Sequence, residues 1–429
     1  MKEEKFEMKE KFSLWLDKFA GIAQKFSSFT AIKAITNGFM IAMPFIMVGS
    51  ICTLINSIPY DPYTKFLTDT GLNNLLNTAN QFTMGIVALI VAFSVAYNFT
   101  IEKGQSNGVA AGFVSVCCFL ISNPMVALEN GSLTINISTL GSSNMFTGII
   151  VGLLSSLIFT YLVDRGFTIK MPESVPPETM KAFLSLIPAF AVIIIFSIIN
   201  YGFGMTSFGS VSNMITQLIQ TPLMGFGGTV WTLMLFYLLS NAVWFAGIHG
   251  IVVMSVLEPI LITLDMQNVA AVEAGSAAVS IIGNNFKNVY AGMSGAGITI
   301  GLAILMMFFA RSKRYKTVGK ISLVPGLFCI NEPVIFGTPI MFNVVMIIPF
   351  ICLPILSIAL AYGLTSIGVL PILSGVQLPW STPCILLGFL LGGWRVALYQ
   401  IFLIGLSVLI YYPFFKKIDN QAYIEETNV

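Results

Sequence analysis

Glu332 stands alone: between Lys320 and Arg395 it is the only Asp, Glu, Lys or Arg. An ionised carboxylate at the centre of a membrane helix is unfavourable by about 2.5–3.5 kcal/mol on insertion scales, so one retained in so apolar a stretch is a functional candidate. Its setting is Ile330-Asn331-Glu332-Pro333. Proline lacks an amide donor and disfavours helix just before itself, which leaves carbonyls and the carboxylate facing a cavity. The plainer reading, a solvated partner for the basic run 311–320, accounts less well for the isolation. His249 is the only histidine, between Ile248 and Gly250. Imidazole can donate, accept or shuttle a proton near neutral pH, and nearby glycines let a ligand come close. A lone histidine is as readily a satisfied polar group, and from the residues both readings stand.

Asn241, Asn284, Asn285 and Asn331 offer amides, and Trp380 an aromatic face. Such groups meet the hydroxyls and ring of a neutral sugar. Taken by itself, Trp380 in Leu378-Pro379-Trp380-Ser381-Thr382-Pro383 reads as an interfacial aromatic. Arg395 reads as a snorkelling cation or a structural pair. The six cysteines form no C-x-x-C pattern and read as small hydrophobes, so no metal site is expected. No G-x-x-x-x-G-K-[ST] phosphate loop is present.

The elements that must position these groups are membrane helices. The chain is 56% hydrophobic and 9% charged, against about 25% charged in soluble domains. No Asp, Glu, Lys or Arg occurs over 182–257, nor over 333–394, and each block exceeds the ~20 residues of one crossing. A net charge of +2 gives no reason to expect a nucleic-acid partner. The first 30 residues are rich in charge and lack the apolar core of a cleavable signal. The fold class expected is an all-α polytopic membrane protein with re-entrant hairpins and amphipathic interfacial helices.

Ten crossings are expected, at 32–56, 81–101, 108–123, 145–163, 182–203, 227–248, 251–264, 292–310, 340–366 and 383–412. The seventh is short, carries Glu258-Pro259 and is required mainly by parity. With both termini inside, the outer loops hold only Lys65 and Lys287. Lys33 and Arg395 fall within spans, and every other Lys and Arg is cytoplasmic, as the positive-inside rule asks. The Gly-, Pro-, Asn- and Ser-rich stretches 266–291, 321–339 and 367–382 fit neither span nor charged loop. Irregular backbone at membrane depth is tolerated where protein or a wet cavity satisfies it, so these read as re-entrant segments lining a site. The organisation expected is an amphipathic segment 1–31, a transmembrane unit 32–206, an amphipathic linker 207–226, a second transmembrane unit 227–415 and a cytoplasmic tail 416–429. No inverted repeat joins the halves, although a Glu-Pro pair recurs at 258 and 332.

Four segments carry a family resemblance: Lys170 through Pro177, Gly247 through Gly250, Asn331 through Pro333, and the run from Pro379 through Gly392-Gly393-Trp394-Arg395. In their order and spacing the chain resembles the sugar permease, or IIC component, of the bacterial phosphotransferase system, in the lactose, cellobiose and diacetylchitobiose branch. The resemblance implies a homodimer in the bacterial plasma membrane, its interface on the N-terminal half and its sugar in the C-terminal half. It further implies that His249 and Glu332 sit at the hydroxyl to be phosphorylated, with Trp380 near the ring. No cofactor is expected to be bound; the phosphoryl group would come from a separate cytoplasmic IIB phosphoprotein, charged in turn by IIA and docking near 311–320. Glu332 is then the better base and His249 the better orienting group. The substrate implied is a β-linked disaccharide, with diacetylchitobiose or cellobiose ahead of lactose. Two departures loosen the substrate more than the mechanism: Cys384 stands where a proline is expected, and the approach to Gly392-Gly393-Trp394 is short and lacks an acidic residue. The competing reading is a proton-coupled secondary transporter that releases its solute unmodified.

Overall fold

In the computed structural model the described residues are 29–56, 61–127, 132–169, 176–245, 249–338, 340 and 343–427. The amphipathic segment expected at 1–31 lies almost wholly outside them. They fall into two compact units, parted between Gly225 and Phe226. The linker stretch, helical over Val211–Ile215, Thr216–Gln220 and Thr221–Gly227, groups mostly with the first.

In the first unit the long helices are Thr30–Asn56, Val87–Glu102, Gly108–Ser122, Met145–Asp164 and Pro177–Gly204. Lipid is as apolar as leucine, so helices in it associate through close packing of small residues and hydrogen bonds between helices. Ala88 and Ala92 accordingly pack with Cys118, Phe119, Val151, Phe159 and Phe196 in one core, and Ser115 donates to the carbonyl of Ala92 at 2.9 Å. Lys33 pairs with Glu102 at 3.5 Å, which gives a cation placed within a span its counter-charge. Two helices, Asp61–Thr70 and Leu72–Gln81, and a small antiparallel hairpin of Met125–Ala127 with Leu133–Ile135 occupy stretches expected to be loops.

The second unit runs through helices Val230–Phe245, Ile251–Glu273, Ile300–Phe309, Lys313–Leu327, Val344–Ser366 and Leu386–Thr427. The seventh span is longer than expected: Ile251–Glu273 has 23 residues with Pro259 inside. Asp265, the first residue past the expected end, is buried within this helix. It accepts the Asn285 amide at 2.7 Å and the Gln377 side-chain amide at 2.8 Å.

The three proposed re-entrant stretches differ from one another. Residues 266–273 and 321–327 extend helices, whereas 369–382 is neither helix nor strand. Residues 284–298 form short broken turns, bent 50° from helix Ile300–Phe309. Side chains satisfy this irregular backbone, as burial demands. The Asn268 side chain accepts the amides of Val279 and Ser280 and donates to Ser280 O, and Asn285 donates to Val376 O. At Gly375, with φ +82°, a Cβ would lie 2.0 Å from the carbonyl oxygen of Asp265, so this crossing of chains requires glycine.

Helix Leu386–Thr427, kinked at Gly393, continues through 416–427 because its last turns find partners. The Asp419 carboxylate accepts the amides of Arg311 and Ser312, and Glu426 accepts those of Lys313 and Arg314 together with the Ser312 hydroxyl. These are the orphan donors at the start of helix Lys313–Leu327. The basic loop of the sequence is therefore the capped first turns of a helix. Among the described residues seven helices are long and apolar enough to cross a bilayer, nine when two bent pairs each count as one, against ten expected. Gly108–Ser122, with 15 residues, is the short apolar helix.

Candidate functional site

Helix Val230–Phe245 carries Tyr237, Ser240, Asn241 and Trp244 at the i, i+3, i+4, i+7 spacing of one helical face. That face forms one wall of a cavity of about 200 Å³, which Met254, Glu258, Lys287, Asn288, Cys329 and Trp380 also line. His249 sits at its edge, exposed, with its ring 4.3 Å from that of Trp244 and tilted by 51°. The Ile251 amide donates to His249 Nδ1 at 3.2 Å. A neutral imidazole so held carries its proton on Nε2. The same bond occupies one of the open amides at the start of the helix that carries Glu258.

Glu258 and Lys287 form an ion pair of 2.8 Å in the cavity wall. Lys287 was expected in an outer loop; instead it is 8% exposed, on the turn Lys287–Ala291. A side chain with three donors beside a carboxylate presents both signs of charge to a ligand rich in hydroxyls. Trp380, 60% exposed, leaves its indole face available at the cavity.

Glu332 begins the short helix Glu332–Gly337, in the electrostatic field of His249. Its Oε2 is buried and has no hydrogen-bond partner among the described residues. Leaving such an atom unsatisfied costs about 1–3 kcal/mol or more for a charged group, so its retention points to a donor brought by a ligand. Asn331 positions this carboxylate. Its amide donates to Ala296 O at 2.6 Å and Thr299 Oγ1 at 2.9 Å, tying the Glu332 turn to the cavity-lining turn at 295–296. At Gly295, with φ +83°, a Cβ would overlap the Asn331 side chain at 2.4 Å.

Of the seven residues singled out in the sequence, Asn241, His249 and Trp380 line the cavity, and Glu332 is not among its lining residues. Asn331 braces Glu332. Asn284 and Asn285 are buried outside the lining, bonded to Gln377 and Val376. Asn241, too, spends its amide on a carbonyl, Phe350 O at 3.2 Å. The Glu258–Lys287 pair was not singled out, although the repeated Glu-Pro pair marks Glu258 in the sequence. Among the described residues no group of three or more His, Cys, Asp or Glu could hold a metal ion.

Residues 36–354 match the family described as Phosphotransferase system, EIIC. The chain is 31% identical to the cellobiose-specific EIIC component of Geobacillus stearothermophilus, over 96% of this chain and 94% of that one. It is 30% identical to the lactose-specific EIICB component of Staphylococcus aureus, over 98% of this chain and 74% of that one. Its structure superposes, with a TM-score of 0.89 and 33% identity, on the crystal structure of the transporter ChbC, the IIC component from the N,N'-diacetylchitobiose-specific phosphotransferase system. That match covers 95% of this chain and 98% of the other. Sequence match and superposition both run across the two units, and on them the chain belongs to the EIIC family of the phosphotransferase system.

Proposed function

We propose that this protein binds a β-linked disaccharide, diacetylchitobiose or cellobiose ahead of lactose, carries it across the bacterial plasma membrane and presents one hydroxyl for phosphorylation. The observation that carries this reading is the buried Glu332 Oε2, without a hydrogen-bond partner among the described residues, on the segment that Asn331 ties to the lining of a cavity holding His249, an exposed indole and an ion pair.

A sugar hydroxyl is a weak nucleophile, and its attack on phosphorus needs positioning and a group to take its proton. Glu332 takes the proton as the oxygen–phosphorus bond forms and the bond from phosphorus to the donor protein breaks. His249 Nε2–H holds the reacting hydroxyl. The phosphoryl group arrives on a separate IIB protein, itself charged by IIA. Lys313, Arg314, Lys316 and Lys320, exposed on helix Lys313–Leu327, offer it a cationic docking face. A relative named EIICB supports the pairing of the two components. The working form proposed is a homodimer with both termini in the cytoplasm.

The test is calorimetric titration of purified protein with diacetylchitobiose, cellobiose and lactose, followed by phosphorylation with and without phosphorylated IIB. Binding of a β-disaccharide and donor-dependent sugar phosphate are expected. Uptake of unmodified sugar that needs no IIB and collapses with an uncoupler would replace this reading by proton-coupled transport.

A further inference from the structure

Cys329 and Cys384 lie 55 positions apart in the chain, yet their sulfurs are 3.8 Å apart. Three observations set this pair apart from the other four thiols. First, the backbones that carry it are fixed: the Cys384 amide donates to Leu327 O at 2.8 Å, and the next amide, of Ile385, donates to Gln400 Oε1 at 2.9 Å. Second, Cys329 holds φ +63°. Its amide bonds Gly326 O and the Ile330 amide bonds Pro325 O, the paired closure of a helix C-terminus at which glycine is the usual residue. A side chain kept in that conformation directs attention to what the side chain does. Third, Cys329 opens onto the cavity, and each thiol is close in sequence to a group of the candidate site: Glu332 follows Cys329 by three residues, and Trp380 precedes Cys384 by four.

We propose that Cys329 and Cys384 are a redox-sensitive dithiol whose oxidation by a peroxide-class oxidant ties the Glu332 segment to the Trp380 segment and locks the cavity. One sulfur attacks the peroxide; its S–O bond forms as the O–O bond breaks, giving a sulfenic acid and one water. The second sulfur then attacks the first, the S–S bond forms, the S–O bond breaks and a second water leaves. The two sulfurs together lose two electrons to the two peroxide oxygens, and both thiol protons end in water. The sulfurs close from 3.8 Å to about 2.05 Å, the length of a disulfide. A dithiol reductant reverses the change by exchange.

The proposal about the bond stands apart from the substrate assignment; only its effect on sugar exchange rests on that assignment. Purified full-length protein treated with hydrogen peroxide should lose two hydrogens in intact mass and yield a peptide linking Cys329 to Cys384. Amide exchange over 326–338 and 378–390 should slow by about fivefold or more as local opening is suppressed, and dithiothreitol should restore it. Cys384→Ser and Cys384→Ala should show neither change. The proposal is overturned if no linked peptide forms, if the link forms and exchange is unaltered, or if the slowing persists in both variants. In proteoliposomes, cellobiose exchange by reduced protein should fall on oxidation and return with dithiothreitol. Unchanged exchange by the linked protein overturns the lock. Absence of exchange in the reduced protein counts against the substrate assignment, and the mass and amide-exchange results then decide the proposal.

Discussion

Removing the charge from Glu332 while keeping its shape separates two roles. Glu332→Gln keeps an acceptor and a donor for a hydroxyl but no longer takes its proton. Donor-dependent phosphorylation should fall by about 10²–10⁴-fold, while calorimetry still registers disaccharide binding; phosphorylation at the wild-type rate would remove Glu332 as the base. His249→Gln should act mainly on affinity, because the ring is placed by Trp244 and by the Ile251 amide to hold rather than to ionise. An unchanged dissociation constant would move His249 out of the site. At this scale the sequence was informative where a residue was rare: a single histidine and an isolated carboxylate could be found by counting. It was uninformative for the asparagines. An amide that lines a cavity and one that satisfies buried backbone are the same residue in a row of letters, and Asn284 and Asn285 are bonded within the protein. The Glu258–Lys287 pair escaped for a related reason. Charges 29 positions apart look like a span defect and a loop cation until the fold brings them to 2.8 Å.

At the scale of elements, the irregular stretches depend on a few anchors. Asp265 receives the Asn285 amide and the Gln377 side chain from two different segments. Asp265→Ala removes the Oδ2 atom that both donors share and leaves each of them buried without its acceptor, at a cost of about 1–3 kcal/mol per group. A thermal melt in detergent should show the loss, and an unaltered melting temperature would deny Asp265 that role. The clamp at the start of helix Lys313–Leu327 makes a pH prediction. The Ser312 hydroxyl, then the Arg314 and Lys313 amides, hold the Glu426 carboxyl below its usual range. A carboxyl depressed in the folded state adds stability that is complete above its unfolded value, about 4.3, and is lost as pH falls through the folded value. The protection of the 312–315 amides, measured against their intrinsic exchange at each pH, should therefore fall on acidification, and Glu426→Gln should be poorly protected already at neutral pH. Equal protection in the two proteins at neutral pH would dismiss the clamp. Hydropathy could not reveal it, because a polar tail and a polar cap have the same composition.

Across the whole molecule, apolar length made the membrane architecture legible, and the described residues part between Gly225 and Phe226, at the end of the stretch expected as a linker. The seventh span, expected at 251–264, runs on as helix to Glu273, past the buried Asp265. The orientation expected, with both termini inside, can be checked: a fluorescent protein fused at the C-terminus should mature, and alkaline phosphatase at the same place should stay inactive. The reverse pattern would invert the topology and with it the docking face.

Helix Leu386–Thr427 joins the two ends of the second unit. Gln400 reaches Val289 O behind the cavity-lining turn, and Glu426 grips the helix bearing Lys313 and Arg314. From Trp394 onward this is a rod of about 50 Å at 1.5 Å per residue. On the docking proposed above it would serve as a tie-bar: a shift of the turn behind the cavity would be delivered to Lys313 and Arg314, and a partner seated there would pull back on the cavity wall. Linkage then requires the exchange to be reciprocal: sugar should tighten the hold on IIB by the same factor by which IIB tightens the hold on sugar.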